Sequence, residues 1–230
     1  APYLSHVHLH NNQGDRDLHA ALFDGVMDIA GLLSLLEALS PQATCTLELT
    51  QDIDMTGVAM QPITSFAGTF NGNGYTIKNL AITAEKRAYS STAQGVALFE
   101  TFTGTARDLV FENPSITLTD GQMVGTAVLC GVVGEDGATI ENVGIVGGSI
   151  SMESTKTTYA GGLVGDAENT SLTVKNCFTE AKIAYTGSAK PKYNYFGGML
   201  GYMMNVDLAF ENCAVLGDVA AHTYSGIGYA

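Results

Sequence analysis

The residues best suited to chemistry crowd the start of the chain. The stretch "SHVHLHNNQGDRDLH" (5–19) holds His6, His8, His10 and His19, four of the five histidines, together with Asp15 and Asp17. Imidazole and carboxylate in one place suit zinc or manganese. Asp17 and His19 stand two apart, so in an extended segment both project to one side. A second set is the carboxylates Asp108, Glu112, Glu141 and Glu211, interleaved with Lys78, Arg107 and Lys175. Paired carboxylates on one face can cleave sugar bonds, or hold calcium beside a basic residue. Alternating sign along one face is also the pattern of an outward charge ladder, and that use is preferred here. A third set is "AKPKYNYF" (189–196), where Lys190, Lys192, Tyr193 and Tyr195 offer a patch for a sugar or protein ligand. Cys45, Cys130, Cys177 and Cys213 lack CxxC spacing and read as buried thiols, with Cys177 and Cys213 expected on consecutive repeats.

The elements that must position these groups are set by a repeat. "TIKNLAI", "TARDLVF", "TIENVGI", "TVKNCFT" and "AFENCAV" share a polar residue at Asn79, Asp108, Asn142, Asn176 and Asn212, with successive spacings of 29, 34, 34 and 36. A second column of glycine-bounded apolar runs keeps step with it: "GVALFE", then 131–134, 162–165 and 198–201. Each unit reads as three short strands with no helical run between them, which excludes a βαβ array for want of a crossover helix. A parallel β-helix satisfies the pattern, because each strand pairs with its copies above and below and like side chains stack in columns. At the corners Asn tolerates the left-handed backbone, and its amide can bond the next Asn; Asn79, Asp108, Asn142, Asn176 and Asn212 are expected to form that structural ladder.

Ahead of the repeats, "DIAGLLSLLEALS" (28–40) carries leucines along one face behind Asp28, the pattern of an amphipathic helix able to cap the first coil. The expected organisation is a lead-in segment at 1–25, a capping helix and connection at 26–44, and about five coils over 45–230, the last of them broken off after "YSGIGYA" (224–230). The expected fold is thus all-β, a right-handed parallel β-helix with an N-terminal capping α-helix. An open last coil exposes unpaired strand edges and invites association.

Two resemblances accompany this reading. "LELTQDIDMTGVAMQPI" (47–63) and "FAGTFNGNGYTIKNLAI" (66–82), followed by the "GLVG" units, resemble the GLUG-motif surface proteins of bacteria across residues 26–230. That likeness implies right-handed β-helical repeats outside the cell, in adhesins, stalks or protease-associated modules. Residues 5–49 are similar to the final strands and helix of xylose isomerase-like metal-dependent barrels. That likeness implies metal ligands at His8, Asp17, His19 and Glu48. A complete barrel centre also draws ligands from earlier strands that these 230 residues do not contain, which favours a lead-in over residues 1–25, then an adventitious divalent-metal site at the histidine cluster, over a working centre.

Composition limits the functions. Hydrophobic residues at 46% supply a core, and 27 glycines against 5 prolines fit turn-rich β structure. Ten scattered Lys and Arg against 23 Asp and Glu give a net charge of −13, which argues against nucleic acid. No apolar run is long enough to span a bilayer as a helix. The preferred reading is a non-enzymatic extracellular or cell-surface solenoid that binds a glycan or a surface protein, or serves as a spacer. The alternatives are a carbohydrate-active β-helix enzyme and a remnant of a metal-dependent isomerase or endonuclease barrel.

Overall fold

A repeat of about 34 residues makes a testable statement about register, since residues one period apart must be strand partners. The computed structural model describes residues 6–9, 31, 44–85, 95–154, 156–188 and 193–220. Within them Ile140 pairs with Ala106 on one side and Val174 on the other, Ala106 pairs with Phe70, and Val174 with Phe210. Ile82, Ile116, Ile150, Ile183 and Val219 follow one another in the same way. β-Branched side chains suit such columns because each packs on its own kind at the strand spacing. The four isoleucines are at most 1% exposed, and burying each contributes roughly 1.5–3 kcal/mol.

The strands fall into three sheets, and every pairing between them is parallel. A large 13-stranded sheet carries most of each turn. A five-stranded sheet is formed by Ala81–Glu85, Ser115–Thr119, Ser149–Met152, Lys182–Tyr185 and Val219–Ala220. A four-stranded sheet contains Gly95–Val96, Gly125–Thr126, Thr158–Ala160 and Asn194–Phe196. The result is the all-β parallel solenoid that the repeat demands, in about four turns. The large sheet also reaches back beyond the repeats, since His6–Leu9 pairs in parallel with Thr44–Glu48. Of the helix expected at 28–40, only Gly31 is described, with helical geometry; the rest lies outside the described residues.

Corners are turned by residues in the left-handed region. Asp108, Asn142, Asn176 and Asn212 have φ between 52° and 55°, and Asn169 and Asn205 turn a second corner at 52° and 53°. The interior holds a phenylalanine group toward the first rungs, with Phe66, Phe99 and Phe102 stacked at 5.1–5.9 Å and Phe70 edge-on to Phe99 at 5.7 Å. Cys177 and Cys213 stand on consecutive rungs beside the paired Phe178 and Ala214, as free thiols. Burial pushes the Cys177 thiol up to about 11, so it stays protonated.

Register corrects the sequence columns in two places. Lys78 pairs with Glu112, so Asn79 lines up with the residue after Glu112 rather than with Asp108. The loop from Gly72 to Tyr75 is what displaces it: Gly72 and Gly74 bond the carbonyls of Arg107 and Asp108, filling the place of a simple corner. The glycine column also shifts. Cys130 pairs with Val164 and Val132 with Asp166, so Gly131 stacks on Gly165, and the 131–134 run is three residues out of step with 162–165.

Candidate functional site

Two polar columns run along the stack, and they are built differently. At the first, the Asn142 amide Nδ2 donates to Asp108 Oδ1 at 2.9 Å, Asn176 to Asn142 Oδ1 at 3.1 Å, and Asn212 to Asn176 Oδ1 at 3.3 Å. Asn79 makes its bonds elsewhere, to Asp54 Oδ1 at 2.9 Å and Thr56 Oγ1 at 3.0 Å. The Asn79 amide, with the hydroxyl and backbone N–H that Thr56 donates to the same oxygen, holds the Asp54 carboxyl below the usual carboxylate range. Beside this corner, Asn71, Arg107, Glu141, Lys175 and Glu211 are strand partners in succession, so charge alternates along the column. Lys175 meets Glu211 at 3.5 Å, Arg107 meets Asp108 at 3.6 Å, and Lys78 lies between Asp52 and Glu112 at 3.6 and 3.7 Å. These are exposed pairs, each worth at most about 1 kcal/mol.

The second column lies where the four-stranded sheet folds back against Val164–Glu168 and Leu200–Met204. Tyr159 pairs with Gly125 below and Tyr195 above, and Asp166 pairs with Val132 below and Tyr202 above. The two columns meet as a seam. Tyr159 and Tyr202 stack at 4.6 Å and 14°, while Tyr195 leans on Tyr202 at 4.9 Å and on Tyr159 at 5.7 Å. Gly125 makes this approach feasible, because a Cβ there would run into the carbonyl of Gly131 and the Cβ of Asp166.

Asp166 is only 6% exposed, and its Oδ1 has no hydrogen-bond partner. Burial, reinforced by the charge of Glu168, pushes its carboxyl up to about 7. The same surroundings raise the phenols of Tyr159 and Tyr202: burial first, then the negative charges of Asp166 and Glu168. Chemically the seam is a carboxyl group poised to gain or lose a proton near neutrality, beside aromatic faces and a second carboxylate. Thr126 is a separate case. Its hydroxyl also lacks a partner, but it faces the interior in the column of Val96, Ala160 and Phe196.

The sequence-derived candidates are distributed as follows. His8 lies in His6–Leu9 as the partner of Thr46, and Glu48 is half-buried as the partner of Asn71. Asp17, His19, Lys190 and Lys192 lie outside the described residues. Among the described residues, no group of three or more His, Cys, Asp and Glu is arranged to hold a metal. Tyr193 and Tyr195 come together at 6.2 Å, and Tyr195 belongs to the seam. Sequence reasoning missed Tyr159, Asp166 and Tyr202. The available signal was "TYAGGLVG" (158–165) against "NYFGGMLG" (194–201), which puts Tyr195 one period after Tyr159.

On the last described rung a cavity of about 750 Å³ opens among Tyr195, Tyr202, Met203, Leu208, Phe210 and Cys213. Leu208 and Phe210 are 42% and 48% exposed, whereas their partners Leu172 and Val174 are fully buried. Among the described residues no helix is long and apolar enough to cross a membrane.

No protein-family profile matches the chain. A stretch of 111 residues, 47% of the chain, is 33% identical to Halomucin from Haloquadratum walsbyi. The chain spans about 1% of the length of that relative. A solved structure of a candidate immunoglobulin A1 protease from Bacteroides ovatus aligns over 76% of this chain and 77% of its own, with a TM-score of 0.38 and 16% identity.

Proposed function

We propose that this chain is an extracellular or cell-surface solenoid module, non-enzymatic, that holds ligand-binding segments on a rigid scaffold. The observation that carries the reading is where the rungs differ. The stretches joining the five-stranded to the four-stranded sheet run 86–94, 120–124, 153–157 and 186–193, longer on the first and last of these rungs than on the two between, while the strands they join stay paired. Variable segments on an invariant scaffold are the usual arrangement of a binding surface. Tyr193 and Tyr195, at the end of one such stretch, are the proposed contacts for a glycan or surface protein, with Lys190 and Lys192 in the same stretch. The similarity to part of a protein named as a mucin is in keeping with a place outside the cell.

The carbohydrate-active alternative is weakened by the outward carboxylates, because Glu112 and Glu211 already sit against lysines, and Glu141 lies in register between Arg107 and Lys175. A general acid wants a raised proton affinity and a free approach to the sugar bond. Binding of the intact chain to a glycan array and to immobilised surface proteins is the test. A signal lost in Tyr193→Ala and Tyr195→Ala supports the reading. Release of reducing ends from a polysaccharide, abolished by one carboxylate substitution, overturns it. The barrel-like reading of His8, Asp17, His19 and Glu48 calls for metal analysis of the purified chain with His8→Ala and His19→Ala as controls.

A further inference from the structure

We propose that the tyrosine seam around Asp166 is a binding site for an organic cation: an ammonium or guanidinium group, on a free amine or on a lysine or arginine side chain. The proposal shares Tyr195 with the patch described above but rests on Asp166 and is tested with small cations, so failure of glycan or surface-protein binding on the arrays leaves it standing.

Asp166 is nine-tenths buried, and its Oδ1 meets no donor. The ionisable groups electrostatically linked to it are all acids. Glu168 stands two residues along the same strand, Tyr159 comes from the four-stranded sheet, Tyr202 from the next rung, and Cys130 from the preceding one. None of these supplies a positive charge. The cations whose ion pairs are described, Lys78, Arg107 and Lys175, are engaged on the asparagine side of the turn. The seam is therefore a negative centre without a counterion among the described residues, walled by three phenol rings with centroids 4.6–5.7 Å apart.

That combination selects the ligand. A buried carboxylate gains most from a charged N–H donor. The ring faces that the Tyr159–Tyr202 stack leaves uncovered attract the same cation and tolerate its alkyl portion. Calcium or magnesium suits the seam poorly, since each needs six or more oxygens and only two carboxylates stand here. A neutral sugar offers hydroxyl donors but leaves the carboxylate charge uncompensated. Because a cation binds the ionised carboxylate, its affinity should follow the ionised fraction of a group that titrates at about 7. That makes binding roughly tenfold tighter at pH 8 than at pH 6, with proton release on binding.

The experiment is calorimetric and NMR titration of the whole chain with methylguanidinium, methylammonium, tetramethylammonium, calcium, and blocked arginine and lysine peptides, at pH 6 and pH 8. Saturable binding of methylguanidinium or methylammonium is expected, at least tenfold weaker in Asp166→Asn and weaker in Glu168→Gln. Tetramethylammonium, which lacks N–H donors, should bind less well than either. Tighter binding of the blocked peptides points to a partner's side chain as the source, and tighter binding of the small cations to a free amine. Should Asp166→Asn fail to fold, proton release by the intact chain, read at pH 7 in buffers of different ionisation enthalpy, decides in its place. Absence of saturable binding, undiminished binding in Asp166→Asn, equal binding of tetramethylammonium, preferential calcium binding, or no proton release would each overturn the proposal.

Discussion

The asparagine corner and the tyrosine seam are both polar columns on one stack of rungs, and they meet the cost of desolvation in opposite ways. In the corner every amide finds the next, at 2.9–3.3 Å, while water still reaches the edge. In the seam a carboxyl is taken out of water with one oxygen unmatched. A satisfied column is what a scaffold needs, because it closes the turn and repeats from rung to rung. An unsatisfied one stores a preference for something that can complete it.

The seam is most sensitive at its base. Gly131→Val places a side chain where Gly95 and Val96 of the neighbouring sheet already lie. It is expected to cost about 3 kcal/mol in thermal or urea unfolding. A loss near zero would mean the two sheets are not in contact there.

The next effect is a pH dependence. The folded-state pKa of Asp166 is raised to about 7, against roughly 3.9 in an unfolded chain. A raised carboxyl favours the protonated fold. Its contribution is complete below about pH 4 and is lost as pH climbs toward 7, on the order of 2–4 kcal/mol. The stability of the native chain minus that of Asp166→Asn should therefore fall between pH 4 and pH 7 and then level off. A flat difference would show that Asp166 is already matched by a partner.

In the corner smaller effects are expected. Asn176→Ala removes bonds to both neighbours and forces alanine to φ 53°, at about 2 kcal/mol in all. Asn176→Gly restores the backbone part and separates the two terms. Smallest is Lys175→Ala, which loses the 3.5 Å pair with Glu211 and should shift stability by less than about 0.5 kcal/mol.

How much of this was legible in the sequence follows from how the parts are made. Intervals of 34, 34 and 36 from Asp108 to Asn212 state a register outright, because a left-handed corner must recur at the same point of each turn. That is why a parallel solenoid could be read without coordinates. Asn79 escapes the same logic, since the glycine loop at 72–75 shifts the early part of its turn. The run at 131–134 misleads for a related cause: "CGVVGEDG" (130–137) offers two glycine frames, and the extra residues between Val133 and Ala138 make the wrong one look regular.

The seam was only partly visible. Tyr195 stands out beside Tyr193, but Tyr159, Asp166 and Tyr202 belong to different strands and rungs. Only exact register and the close approach of Gly125 to Gly131 and Asp166 bring them together, and neither is a local property of sequence.

Since each rung rests solely on those beside it, the solenoid is in effect a one-dimensional ladder of couplings. Strain, heat or a protease should open it rung by rung instead of melting the whole at once. With Leu208 and Phe210 half-exposed, the rung at 207–211 is the less tightly packed neighbour of the one at 171–175. Amide protection should accordingly rise in stages from the strand at 207–211 back toward the phenylalanine group, so that the order of opening follows position along the stack.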